Sequence, residues 1–127
     1  MNIILISIGG LSVVLWGVIH LFPTKTVVGG FGDISTDNKR IVFMEWINEG
    51  VTLIFIGVLV LIITYLGDVN HYIYELVYAA TSGMLFIMSV ISLLTGFKIN
   101  HWAFRLCPVI FSVSGLLILI GSLLYKA

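Results

Sequence analysis

Charged side chains are absent from four long stretches of the chain: Met1 to Thr24, Gly50 to Gly67, Leu76 to Phe97 and Leu106 to Tyr125. Each meets or nearly meets the roughly 20 residues needed to cross about 30 Å of hydrocarbon as a helix. Within a bilayer the backbone must satisfy its own hydrogen bonds, so each stretch reads as a transmembrane helix. The pattern predicts helices over about 3–22, 37–66, 72–95 and 100–125. The first stops before Pro23. The second starts near Ser35, Thr36 and Asp37, all good N-caps, and stops at Gly67. It exceeds what the hydrocarbon requires, so its first two turns are expected in the headgroup layer. The fold class that follows is all-α, a four-transmembrane-helix bundle, with 1–127 forming a single integral membrane domain.

Composition agrees with the pattern. The 127 residues are 60% hydrophobic and 9% charged, whereas soluble domains carry about 25% charged residues. A soluble fold of this size has too little interior to hide so much apolar surface. The first stretch lacks both a positive start and a small-residue cleavage site, so it reads as a retained membrane helix rather than a signal peptide. The lone cysteine, Cys107, argues against a membrane thiol oxidoreductase, which works with cysteine pairs. No basic stripe is present, so no nucleic-acid partner is expected.

Lysine and arginine placement sets an expected orientation. Lys25, Lys39, Arg40, Lys98 and Arg105 lie in or beside the first and third connections, against only Lys126 on the other side. The positive-inside rule then puts both connections in the cytoplasm and both termini outside, in a cell (inner) membrane. Tyr65, Tyr72, Tyr74 and Tyr125 fall toward the outer face, and Trp46 and Trp102 toward the inner one, as two aromatic belts.

Helical spacing then gathers the polar residues into stripes. Helix 1 aligns Gly9, Val13, Trp16 and His20; helix 2 aligns Glu45, Asn48, Glu49 and Thr52. Helix 3 aligns Glu75, Tyr78, Ser82 and Ser89; helix 4 aligns His101, Arg105, Pro108, Ser112, Gly115 and Ser122. Small and polar faces turn toward other helices in membranes, because lipid cannot satisfy polar groups and small residues permit close approach. His20, Glu45, Glu49, His101 and Arg105 all lie at the cytoplasmic end. The stripes therefore predict one cluster in which the acids face Arg105 and two histidines, walled by Trp16, Trp46 and Trp102. His71 and Glu75 belong to the opposite end.

Each feature also has a plain structural reading. Acids near a helix start favour the helix dipole. Arg105 can snorkel to headgroups, and a lone histidine commonly bonds a backbone carbonyl. The two histidines and two acids are conceivable ligands for zinc, and a histidine pair for haem, although no metal-binding spacing such as C-x-x-C is present. GGFG, residues 29–32, does not fit a phosphate loop and instead suggests a connection that folds over the bundle mouth.

The stretches WGVIHLFP (16–23) and EWINEG (45–50), with the glycine-rich first connection and the helix count, resemble the DoxX-like small membrane proteins over the whole chain in layout. Members of that group are mostly uncharacterised, and some are associated with quinone-linked oxidation. Small multidrug transporters have a similar helix count and length but use a glutamate within the first helix, which is absent here. Three readings of function follow. The leading one is binding of a lipid, quinone or small polar ligand at Glu45, Asn48, Glu49, Arg105, His101, His20, Trp16, Trp46 and Trp102. The others are a structural accessory subunit of a larger membrane complex and a component of a membrane oxidoreductase using quinone, haem or metal. The chain's small size would require a homo-oligomer for transport.

Overall fold

The computed structural model describes residues 2–67 and 72–124. His71, Tyr125 and Lys126, used above for the outer side, lie outside the described residues. The described residues form α1 (Ile3–Leu21), α2 (Thr24–Gly29), α3 (Thr36–Leu66), α4 (Tyr72–Leu94), a 3₁₀ turn (Gly96–Lys98) and α5 (Trp102–Leu123). Four of these helices are long and apolar enough to cross a membrane. The protein is a small polytopic membrane protein, and its aliphatic outer surface meets lipid: Ile4 and Leu15, for example, are 70% and 60% exposed.

Local chemistry sets the ends. The Asn2 side chain accepts from the Leu5 amide at 3.2 Å and caps α1. Ser35 caps α3 in the same way through the Asn38 amide, and Asp37 and Arg40 pair across its exposed first turn at 3.4 Å. α3 has 31 residues, about 46 Å at the standard helical rise. Its exposed first turns therefore extend past the apolar run. At α5 the cap is His101, whose Nδ1 accepts from the Ala103 amide at 3.3 Å. The first connection contains a helix not foreseen from its glycines. α2 packs against α3, and Thr24 donates back to the Leu21 carbonyl at 2.6 Å.

α1 is the central helix. It packs against α3 on one side and α5 on the other, and α4 packs against α5. In lipid no hydrophobic force sorts helices, so close approach and interhelical hydrogen bonds do so. A Cβ added at Gly17 would lie 2.8 Å from the Gly50 carbonyl oxygen, and one at Gly57 would lie 2.6 Å from the Gly10 carbonyl oxygen. Backbone therefore touches backbone twice along the α1–α3 crossing. Polar links reinforce the pairs. Ser7 and Tyr65 share a hydrogen bond of 2.8 Å between α1 and α3. On α4, Ser89 donates to the Pro108 carbonyl of α5 at 2.8 Å and lies 2.6 Å from the Ser112 hydroxyl.

α3 and α4 follow one another in the chain yet make little contact. Near their junction Thr64 and Tyr78 share a hydrogen bond of 3.0 Å, and Thr64 also donates to the Val60 carbonyl. Toward the other end a cleft separates the two helices.

The α1–α3 crossing predicts a graded response to substitution. Gly57→Leu should cost about 1–3 kcal/mol through overpacking. Gly83→Ala, where an added Cβ meets nothing within 4 Å, should be neutral or stabilising by up to about 1 kcal/mol. Unfolding midpoints in mild detergent measure both; equal losses would count against backbone contact as the organising feature.

Candidate functional site

The last carbonyls of a helix have no partner within it. At the end of α1 one of them, the His20 carbonyl, accepts from the Trp46 indole Nε1 of α3 at 2.8 Å. The same indole stacks on the His20 ring, with centroids 3.9 Å apart and planes inclined by 17°. Phe104 of α5 meets the indole edge-on at 5.7 Å. Three helices thus hold one imidazole in place. Glu49 follows Trp46 by one helical turn and so lies on the same side of α3.

The His20 ring is buried, with the residue 8% exposed, and Nε2 has no hydrogen-bond partner. Its neighbour is a Glu49 carboxylate oxygen at 3.6 Å, beyond hydrogen-bonding range. Both groups therefore retain bonding capacity for a third. The Glu49 side chain is 38% exposed. Among the described residues no lysine or arginine pairs with it.

Both groups border a cleft of about 420 Å³ that opens on one side. Its inner wall is buried: His20 from α1 and Cys107 and Phe111 from α5. Met88, Ile91 and Ser92 of α4, with Thr95 just past its end, form the facing wall, and Gly96, Ile99 and Phe104 close the end. The lining is mostly apolar, with a few convergent polar groups, and its size lies within the range of small-molecule sites.

The sequence-predicted residues divide. His20, Glu49 and Trp46 come together, and Trp16 is buried in the core one turn before His20, with its indole Nε1 unpartnered. Glu45 and Asn48 are exposed on another face of α3. Arg105 does not face the acids: it is exposed and bonds the Asn100 side chain at 3.3 Å. His101 is exposed as the cap of α5 and so does not pair with His20, and Trp102 is 65% exposed. The reason lies in which face each helix buries. On α3 the buried line is Gly50, Leu53, Gly57, Val60 and Thr64, chosen by close approach to α1. That rotates Glu45, Asn48 and Thr52 outward and leaves Glu49 at the edge. On α5 the first turn lies at the rim, where charged and polar groups reach solvent. The first connection does not cover the cleft, since none of residues 24–35 lines it.

The overlooked wall residues had signals. Phe104, Cys107 and Phe111 recur at helical spacing, one position from the polar stripe read on α5. Ser92 continues the line of Ser82 and Ser89 on α4. Glu75 lies by a smaller cleft of about 190 Å³ between α4 and α5, lined also by Tyr72 and Ser122. Among the described residues no group of three or more His, Cys, Asp and Glu side chains converges as metal ligands would.

Trp46 both caps α1 and holds the imidazole, so Trp46→Phe should lower stability by about 1–2 kcal/mol. Trp102→Phe should change it by less than about 0.5 kcal/mol. Denaturation in mixed micelles followed by circular dichroism separates the two. In comparison with known proteins, no protein-family model, curated protein or solved structure matches this chain.

Proposed function

We propose that the protein binds an amphipathic molecule drawn from the bilayer. The polar end sits at Glu49 and His20, and the apolar body lies along Met88, Ile91 and Phe104. The observation that carries this reading is the cleft itself: a mostly apolar space bordered by His20, whose buried ring nitrogen has no hydrogen-bond partner and lies 3.6 Å from a carboxylate. A buried polar atom left unsatisfied is costly, and a ligand's polar end relieves that cost.

The route follows from the helix arrangement. The cleft separates α3 from α4, so the ligand enters sideways from lipid rather than through the first connection. By the placement of Lys25, Lys39, Arg40, Lys98 and Arg105 the cleft belongs to the cytoplasmic leaflet. Lipids and quinols both fit this description. The layout resembling DoxX-like proteins, some of them linked to quinone oxidation, is in keeping with it.

Filling the cleft tests the reading. Ser92 lines the facing wall, and Ser92→Phe should expel the occupant, whereas Leu116→Phe on the exposed face of α5 should not. Protein purified in mild detergent is extracted and analysed by mass spectrometry. An amphiphile retained near one per chain, and lost only from Ser92→Phe, is the expected result. Equal retention by both variants would refute the cleft as its seat.

A further inference from the structure

The groups bordering the cleft specify the charge of what it accepts. Glu49 contributes a carboxylate, and no lysine or arginine is among the lining residues. Arg105, expected from the sequence to face the acids, is exposed and bonds Asn100. A carboxylate at the edge of hydrocarbon strongly favours a counter-cation. In the tautomer that carries its proton on Nδ1, His20 adds an acceptor at Nε2, which has no other partner. Phe104 and Phe111 also line the space, and aromatic rings attract cations at their faces. The site therefore combines a negative charge, a second acceptor and two rings, with no fixed positive charge.

The apolar part of a ligand does not decide affinity here. A chain moving from lipid into an apolar cleft exchanges one hydrocarbon surface for another and gains little. Selection rests on the head. An alcohol or quinol head offers hydrogen bonds to Glu49 but no charge, and a carboxylate or phosphate head is repelled.

We infer that the cleft selects lipophilic ammonium compounds: an amine head that donates N–H groups to Glu49 and His20, carried on a chain that stays partly in the bilayer. This rests on the reading of the cleft as a site for an amphiphile. The test is chosen so that each can fail separately.

Three probes share a dodecyl chain bearing a nitroxide and differ only in the head: dodecylammonium, dodecanol and dodecanoate. Protein carrying Trp102→Phe is placed in phosphatidylcholine nanodiscs, leaving Trp16 and Trp46 as reporters near the cleft. Saturable quenching of their fluorescence measures occupancy, after subtraction of the quenching seen in the Ser92→Phe protein. The ammonium probe should saturate at a concentration roughly tenfold or more below the other two, one decade of affinity. Glu49→Gln should bring it to the level of the alcohol. If alcohol and ammonium saturate alike, the amphiphile site stands and the preference for ammonium is overturned. The preference is equally overturned if dodecanoate binds best or if Glu49→Gln leaves the ranking unchanged. If no probe saturates, both readings fall. Because Ser92→Phe keeps Glu49 in place, a folding defect of Glu49→Gln, checked by circular dichroism and gel filtration, does not rescue either reading.

Discussion

The crossing of α1 over α3 at Gly17 and Gly50 is the contact on which the remaining structure depends. Here the backbones meet directly: a Cβ on Gly17 would lie 2.8 Å from the Gly50 carbonyl oxygen and 2.9 Å from the Ile54 amide nitrogen. His20 is one turn beyond Gly17, and Glu49 immediately precedes Gly50. The contact that packs the two helices therefore also sets the imidazole beside the carboxylate. Trp46, one turn before Gly50, reaches the last turn of α1 for the same reason. Packing and site share one geometric cause.

A second consequence concerns what α3 does not touch. Its small face is committed to α1, and α1 in turn uses its other side for α5. α4 then pairs with α5 through Ser89 and the Pro108 carbonyl. Proline supplies no amide to the helix, and its carbonyl here takes a bond from a neighbouring helix. With those pairings made, α3 and α4 are left nearly apart, tied by Thr64 and Tyr78 close to their junction. The opening at the other end follows from how the pairs were allotted, without any local distortion.

How far this was legible in the sequence differs by level. The uncharged stretches announce the four membrane helices, because hydrocarbon thickness leaves few alternatives. The stripe Gly9, Val13, Trp16 and His20 is buried along its length, as helical spacing leads one to expect. The stripe Glu45, Asn48, Glu49 and Thr52 is not, because it was read by polarity alone. On a helix that also carries Gly50 and Gly57, close backbone approach chooses the buried face, and polar residues near the helix start find water and headgroups without turning inward. Arg105 and His101 share that circumstance at the start of α5. Angular position relative to the buried face and depth along the helix together separate a side chain that must find a partner from one that need not. The α3–α4 gap had no sequence signal, since it depends on which helix pairs form.

The position of Glu49 gives this rule its functional weight. It is the last acid before the uncharged run, beside a glycine buried against α1. The cleft beside it is mostly apolar, and the His20 imidazole next to it is held by stacking rather than by a bond to the acid. A pair that met at bonding distance would be satisfied internally and would serve to fix helix register. A pair held just beyond that distance, by packing that neither member controls, leaves two polar groups facing one space. The arrangement thus differs from a closed structural ion pair in that neither group satisfies the other by a hydrogen bond.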